Sequence, residues 1–430
     1  MKDTFQITEY GSFIKGEEIA GYTTLPESTF NILENFILAN SNTDTEALDI
    51  MGLSVRKGIG KIITAKNYVG VITMNDGTSI EILPKVYSAE DYTVEKAKKL
   101  LIEMLKTLKQ VPCKSFQTTN VNVERMNLLE VFIRMYIDEV FFIAKRGLKC
   151  NYETVQSNEN IFKGKMLFSK QMQYNRIHKE KCFVEYDVFN VNRAENKLIK
   201  ATLHYLYRTS SSSANRKDIK VLLSSFCDVE ASANYEKDFA KVVSDRNMKD
   251  YAYAMLWSKV FLSGKSFTSF SGSEIAVALL FPMETLFESY IASKLHRMLK
   301  PSEFSMSAQD KTFHLFDSPQ KRFLMKPDIV IKNRKENNIF ILDTKWKLLS
   351  DSKANYGISQ ADMYQMYAYQ KKYDAKSVTL IYPRTDKVNA EKDIAYSDKD
   401  GVTVKVKFVD LFNVTESLKE IVKDFSQTQL

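Results

Sequence analysis

Three charged residues in the last third of the chain have types and a spacing that suit phosphodiester chemistry. Asp328 begins one short run rich in β-branched residues and Asp343 closes another, and the polar run between them predicts a turn. If that turn is symmetric, it is centred between Lys335 and Glu336, and the aspartates face each other across a hairpin about 5 Å apart. Lys345 follows Asp343 in the same strand, where the period of two places both residues on one face.

Two carboxylates so close repel each other unless something neutralises them, and a divalent cation would do so. Mg²⁺ prefers hard oxygen ligands, which predicts a metal site formed by Asp328, Asp343 and the backbone carbonyl of Thr344. A metal there would stabilise the charge of a pentavalent phosphate and lower the pKa of a bound water. Lys345 would orient that water or neutralise the developing charge. The alternative is a strand-edge lysine beside a turn carboxylate, but the shared register favours a metal-dependent phosphodiesterase site.

A helix predicted from Pro282, as its first residue, to Leu299 supplies a further carboxylate. Glu284 and Glu288 lie one turn apart on the same side of this helix. Glu284 is in the first turn, where the helix dipole accounts for a negative charge. Glu288 is in the middle of the helix between apolar residues, so it is the better candidate for a catalytic and metal-binding residue.

The helix predicted after the hairpin, from Gln360 to Lys372, carries candidates for DNA contact. Gln365 and Tyr369 are four residues apart and therefore share one face. Lys371 and Lys372 add positive charge at the helix end. We predict a catalytic and DNA-binding role for Gln365 and DNA binding for the other three, while packing of the tyrosines in a core is the alternative.

The elements that must position these residues predict a multidomain α+β fold. Residues 1–90 alternate as strands do, with an Asp-Gly hairpin signal, and predict a small β-rich domain. Residues 91–270 carry apolar residues at helical spacing and predict a mainly helical region, with a possible β interruption near residues 182–189. Residues 271–430 follow the order α-β-β-β-α-β, which predicts an α/β sandwich around a mixed sheet.

The composition is that of an ordinary globular protein. The 61 basic and 53 acidic residues give a net charge of +8, which suits a phosphate-backbone partner without requiring one. The 4 cysteines lack any metal-ligand spacing, which indicates a reducing compartment. Charged residues interrupt the most apolar stretch, residues 128–144, and the first residues do not resemble a signal peptide. We therefore expect a soluble, cytoplasmic protein without a membrane partner.

Two short segments resemble the end of a phosphate-binding P-loop, namely Gly60-Lys61 and Gly264-Lys265. A P-loop needs a glycine five positions before its Gly-Lys pair, and those positions hold Val55 and Lys259. The chain is therefore not expected to hydrolyse a nucleotide through a P-loop. Any nucleotide-driven step would need a partner that supplies the motor.

The chain resembles the McrC family, the nuclease subunits of McrBC-type modification-dependent restriction systems. In its last third it is similar to the PD-(D/E)xK nuclease signature, which here comprises Pro327-Asp328, Asp343-Thr344-Lys345, Glu288 on the leading helix and Gln365-x-x-x-Tyr369 on the trailing helix. The upstream segments that share the resemblance are Tyr68–Ile72, Ile80–Lys85, Phe162–Lys165 and Asn192–Lys197. The resemblance therefore covers most of the chain.

The resemblance implies a restriction-endonuclease-like domain at residues 271–430 that cuts double-stranded DNA with Mg²⁺. It also implies a partner, an McrB-like AAA+ GTPase hexamer that binds GTP, recognises modified DNA such as 5-methylcytosine and translocates. This chain would dock on the partner through residues 1–90 and the helical region, and stimulate its GTPase.

Two other functions remain open on the sequence. The first is an assembly protein whose main role is to activate a GTPase ring, because residues 1–270 exceed what a bare nuclease needs. The second is a stand-alone repair or RNA nuclease of the PD-(D/E)xK type.

Overall fold

The computed structural model describes the chain in seven segments. They are residues 3–40, 50–86, 93–108, 126–242, 248–263, 275–388 and 394–426.

The described segments contain helices and strands throughout. The α-helices in chain order are α1 (Glu27–Asn40), α2 (Val94–Leu105), α3 (Leu128–Arg146), α4 (Phe168–Tyr174), α5 (Ala194–Thr209), α6 (Ser213–Ser225), α7 (Tyr235–Lys241), α8 (Ala252–Ser263), α9 (Met283–Met298), α10 (Gln360–Tyr373) and α11 (Val414–Ser426). The strands are β1 (Thr4–Thr8), β2 (Ser12–Lys15), β3 (Thr23–Leu25), β4 (Met51–Arg56), β5 (Gly60–Ala65), β6 (Tyr68–Met74), β7 (Ser79–Leu83), β8 (Asn151–Glu159), β9 (Lys165–Met166), β10 (Cys182–Asn190), β11 (Ile275–Pro282), β12 (Phe304–Ala308), β13 (His314–Phe316), β14 (Arg322–Leu324), β15 (Ile329–Asn333), β16 (Ile339–Thr344), β17 (Ser377–Pro383), β18 (Ile394–Ser397) and β19 (Thr403–Val409). This mixture confirms an α+β protein.

The described residues form two compact units. The first unit contains residues from 3–108, 126–128 and 275–426, and the second contains residues from 129–263. The first and the last of the three predicted segments therefore lie together in one unit.

Strand β11 joins these two segments within the first unit. It pairs antiparallel with β6, and the sheet has the order β1-β7-β6-β11. The pairing is close at Gly70, whose φ is +138°, because a Cβ there would lie 1.9 Å from the carbonyl oxygen of Leu279. A second sheet of this unit has the order β3-β2-β5-β4. The predicted strands at β5, β6 and β7 and the Asp-Gly turn after β6 are confirmed.

Of the two segments that resemble the end of a P-loop, the structure describes only the first. Gly60-Lys61 begins strand β5, and Lys61 forms an ion pair with Glu34 at 2.6 Å. Gly264-Lys265 lies outside the described residues.

The largest sheet of the first unit has the order β12-β15-β16-β17-β19-β18. Strand β16 runs antiparallel to β15 and parallel to β17, so the predicted mixed sheet is confirmed. Both strands are buried along almost their whole length, as expected where helices cover both faces. On one face, residues of α10 such as Met366 pack against Ile341 and Val378. On the other, Phe425 of α11 packs on Phe340, with ring centroids 4.9 Å apart.

One predicted strand does not belong to the six-stranded sheet. The first of the three strands predicted after the helix that starts near Pro282 corresponds to β13, which pairs with β14 in a separate two-stranded sheet and not with the six-stranded one. Most residues of these two strands are exposed, so little burial ties them to the larger sheet.

The second unit contains helices α3 to α8 and a sheet with the order β8-β10-β9. The predicted helices are confirmed here, and so is the β interruption, which is strand β10. The apolar stretch at residues 128–144 is part of the amphipathic helix α3. Across the described segments, no helix combines the length and apolar character that crossing a bilayer requires.

Candidate functional site

The hairpin of β15 and β16 has the predicted register. Ile329 pairs with Leu342 and Val330 pairs with Ile341, so the turn is symmetric about the point between residues 335 and 336. The side chain of Asn333 stabilises this turn, because its Oδ1 accepts the backbone N–H of Lys335 at 2.9 Å. Asp328 and Asp343 therefore lie at matching positions at the open end of the hairpin.

Asp328 is held at this end by the strand opposite. Its Oδ2 accepts hydrogen bonds from the backbone N–H of Thr344 at 2.7 Å and from the Thr344 hydroxyl at 2.8 Å. Burial nevertheless raises the pKa of Asp328, and these bonds and the charge of Lys345 only partly oppose that rise. Thr344 therefore takes part in the site through its N–H and hydroxyl, contacts that the sequence did not indicate.

Lys345 connects the hairpin to helix α10. Its Nζ lies 2.6 Å from Oδ2 of Asp343, which confirms that the two side chains share a face. The same Nζ lies 3.4 Å from Oε1 of Gln365, and Nε2 of Gln365 donates to the Tyr369 hydroxyl at 2.8 Å. The structure therefore brings Asp343, Lys345, Gln365 and Tyr369 into one chain of polar contacts.

Asp343 is almost completely buried, with 1% of its surface exposed. Burial, followed by the charge of Asp328, raises its pKa to about 7. Oδ2 lies 2.6 Å from Nζ of Lys345, and the charge of Lys345 and its hydrogen bond only partly oppose that rise. A buried carboxylate is costly to ionise, and a bound cation would relieve that cost.

Helix α9 places Glu288 near Asp328. Its Oε1 accepts a hydrogen bond from Nε2 of Gln309 at 2.9 Å, and burial and the charge of Asp328 raise its pKa. Glu284, which the sequence assigned to the helix dipole, lines the same cavity. The expected helix start is wrong by one residue, because Pro282 ends β11 and is the N-cap of α9 and not its first residue.

Glu288, Asp328 and Lys345 line one cavity of about 350 Å³, which we call the site cavity, whereas Asp343 is not among its lining residues. Its charged lining residues are Glu284, Glu288, Asp328, Lys345, Lys347 and Asp362. Lys347 and Asp362 were not among the residues predicted from the sequence. Lys347 donates a hydrogen bond to Oδ2 of Asp362 at 2.9 Å. Burial tends to raise the pKa of Asp362, but the hydrogen bonds of Ser359 and Lys347 outweigh it, so this pKa is lowered. The Ser359-x-x-Asp362 spacing is a helix-capping signal that could have placed Asp362 in the first turn of α10.

A third residue that was not predicted is Glu9, which comes from the far end of the sequence. It is fully buried and accepts a hydrogen bond from the indole N–H of Trp346 at 3.0 Å and from the backbone N–H of Lys85 at 3.0 Å. The Trp346 ring packs on Phe287, with centroids 5.4 Å apart. The residue after Lys345 is therefore fastened both to the amino-terminal strands and to α9.

The residues predicted to contact DNA fall into two groups. Gln365 and Tyr369 belong to the polar chain at the site, but Tyr369 is buried within the core. Lys371 donates to the carbonyl oxygen of Asp400 at 3.2 Å, and Lys372 pairs with Asp317. Neither lysine is among the residues that line the site cavity. Their contact with DNA stays a prediction.

The donors present suit a small, hard cation, but they form a sparse set. Asp328 and Asp343 offer carboxylate oxygens and Thr344 offers its carbonyl, which is the chemistry that Mg²⁺ prefers. Within the segments that the structure describes, no group of three or more His, Cys, Asp or Glu side chains is close enough to hold a metal. The structure thus brings the two aspartates together without Glu288 as a third ligand beside them.

Comparison with known proteins identifies one family and a shared fold. A family model described as "McrBC 5-methylcytosine restriction system component" matches residues 63–383. No curated protein matches the sequence.

Two solved structures resemble the chain. One is from a half-complex of a tetradecameric assembly of Thermococcus gammatolerans McrB AAA+ hexamers with bound McrC. It is 20% identical, the match covers 97% of this chain and 100% of that chain, and the TM-score is 0.69. The other is from the cryo-EM structure of the Thermococcus gammatolerans McrBC complex, with 21% identity, coverage of 70% and 89%, and a TM-score of 0.50. At such identities the likeness is one of fold.

Proposed function

The chain belongs to the McrBC family of restriction-system components, and from that premise we propose that it is a Mg²⁺-dependent DNA endonuclease subunit. The observation that supports this most is the meeting of Asp328, Asp343 and Lys345 at the end of the hairpin, with Gln365 beside the lysine. The proposed fold of residues 271–430 is the PD-(D/E)xK nuclease fold, in which a mixed sheet presents these residues.

Each residue has a proposed task. Asp328 and Asp343, with the carbonyl of Thr344 and with Glu288 nearby, would hold Mg²⁺. When bound, the metal supplies charge stabilisation at the phosphate and a water of lowered pKa. Lys345 would place its ammonium against the phosphate oxygens that gain negative charge during hydrolysis. Gln365 fixes the position of that ammonium, because its Oε1 faces Nζ while its Nε2 is anchored on Tyr369.

The second part of the proposal concerns a partner. A fold match over 97% of the chain to a chain from McrB AAA+ hexamers with bound McrC supports assembly with an McrB-like GTPase hexamer. This partner would bind GTP and read the modified base, and the chain would stimulate its GTPase. Residues 1–90 are the proposed docking region.

The decisive experiment is Asp343→Asn in the complex reconstituted with the McrB-like partner. We expect cleavage of modified DNA to be lost while stimulation of the partner GTPase is kept, because the substitution changes only the end of β16. Asp374→Asn is the matched control, since Asp374 is exposed at the end of α10. Full cleavage by Asp343→Asn would refute the assignment of the site.

The same experiment distinguishes the alternatives. If the chain were mainly an adaptor that activates the GTPase, the parent and Asp343→Asn would support restriction equally well. A stand-alone repair or RNA nuclease would cut without the partner. A fragment of residues 1–270 is a poor tool for this purpose, because it lacks β11, which completes a sheet of the first unit.

A further inference from the structure

A second cavity has two lining residues in common with the site cavity. It has a volume of about 270 Å³, and we call it the lysine cavity because Lys85, Lys347 and Lys353 line it together with Tyr10. Trp346 and Lys347 line both cavities. The two cavities therefore share part of their lining.

The fastening of Trp346 creates this cavity from distant parts of the sequence. Glu9 receives the indole N–H of Trp346 and the backbone N–H of Lys85, so one buried carboxylate holds together the end of β1, the end of β7 and the segment after β16. The positive charge of Lys85 is also near enough to Glu9 to act on the pKa of that carboxyl group.

The charge of the lysine cavity is positive. Tyr10 is half exposed and Lys347 and Lys353 are exposed, whereas Glu9 is buried. Burial raises the pKa of Glu9 to about 8, so this carboxyl group does not cancel the lysine charges at neutral pH. Lys347 is shared between this cavity and Asp362, with which it forms an ion pair at 2.9 Å.

We infer that the lysine cavity is a DNA-backbone subsite, which binds a phosphodiester group of the strand that is cut in the site cavity. Lysine ammonium groups are point charges suited to phosphate oxygens, and contacts of this kind position DNA without reading its sequence. The inference rests on the proposed nuclease function and names the residues that would carry the strand past the cutting site. It gives the amino-terminal segment a direct part in holding the substrate.

The assignment also differs from the one that the sequence suggested. Lys371 and Lys372 lie at the end of α10 and contact Asp400 and Asp317. The lysines of the lysine cavity line it together with Trp346, which follows the strand that carries Asp343.

The test is the salt dependence of DNA binding by the full chain. The protein carries Asp343→Asn to prevent cutting, and the probe is a fluorescent DNA duplex of about 20 base pairs, titrated from about 50 to about 200 mM salt. Each lost phosphate contact lowers the slope of log affinity against log salt by about 0.9. The double variant Lys85→Gln/Lys353→Gln should therefore reduce the slope by about 2.

Two further variants test whether the position of the lysines sets the slope, as opposed to the number of charges or a folding defect. Lys300→Gln/Lys419→Gln removes the same charge from surface ion pairs and should leave the slope unchanged. Lys85→Arg/Lys353→Arg keeps the charge in the lysine cavity and should bind as the parent does.

The outcomes distinguish this subsite from the nuclease proposal. An unchanged slope in the Lys85→Gln/Lys353→Gln variant, or no binding by the parent chain at about 50 mM salt, overturns the subsite. If Asp343→Asn has at the same time abolished cleavage in the reconstituted complex, the nuclease proposal stands without it. Retained cleavage by Asp343→Asn overturns the assignment of the cutting site, whatever the slopes are.

Discussion

Replacing Asp343 with asparagine should stabilise the metal-free chain at pH 8, even though it removes a residue proposed for catalysis. The reason is the position of the carboxylate, which is 1% exposed and lies close to Asp328. Without a cation, an ionised carboxylate there is unfavourable. Asparagine has nearly the same shape and no charge, so it resembles the protonated side chain.

The magnitude follows from the pKa. In the fold the pKa of Asp343 is about 7, against an ordinary value of 3.8. A difference of one pH unit corresponds to about 1.4 kcal/mol, so ionisation costs the folded state about 4 kcal/mol above pH 7. This figure already includes the attraction of Lys345, which is one of the causes that set the pKa. We expect the free energy of unfolding to rise by about 2–4 kcal/mol in Asp343→Asn at pH 8.

The difference between the folded and unfolded pKa values of Asp343 also sets the sign of the pH dependence of stability. The folded state binds this proton more tightly than the unfolded chain does, so the metal-free parent loses stability as the pH rises from 3.8 to about 7. Below that window both states are protonated at Asp343, and the advantage of asparagine should disappear. Above it the advantage should be constant.

The assay is urea unfolding of the full chain with a chelator, followed by tryptophan fluorescence. The chain has 2 tryptophans, so a Trp257→Phe background leaves Trp346 to report on the first unit. Added Mg²⁺ should stabilise the parent and not Asp343→Asn, because a ligand stabilises only the state that binds it. Asp374→Asn is again the control. The reasoning is refuted if Asp343→Asn is less stable than the parent at pH 8, or if its advantage is as large at pH 4.

Two predictions concern the first unit as a whole. Gly70→Ala should lower the free energy of unfolding by about 3 kcal/mol or more, because the added Cβ would lie 1.9 Å from the carbonyl oxygen of Leu279. The control is Gly52→Ala, where the nearest atom to the added Cβ is a lysine side-chain carbon 3.6 Å away. This control should be nearly neutral in the same urea titration. Lys98→Met should cost about 3–5 kcal/mol, because it leaves the carboxylate of Glu81 buried without the ammonium now 2.8 Å away. Adding Glu81→Gln should restore part of that loss, and an unchanged midpoint in Lys98→Met would contradict the estimate.

Several contacts in the candidate site follow from the local sequence pattern. The hairpin register depends on a short symmetric turn, and the pairing of Ile329 with Leu342 is as the sequence predicted. Likewise, the period of two that continues from the end of β16 put Lys345 beside Asp343, and the helical period put Gln365 beside Tyr369. These relations span a few residues each, so backbone geometry alone determines them.

The sequence by itself therefore determined the hairpin, its pair of carboxylates and the lysine that follows, together with most helices and about half of the strands of the described segments. Only the tertiary structure decided what surrounds them. Glu9 meets Trp346 across 337 positions of sequence, and β11 completes a sheet that begins at the amino terminus. Such contacts depend on which buried surfaces pack together, and residue periodicity carries no information about that choice. The metal-site hypothesis thus came from spacing, whereas the cavity beside it and the lysines that line it came from packing.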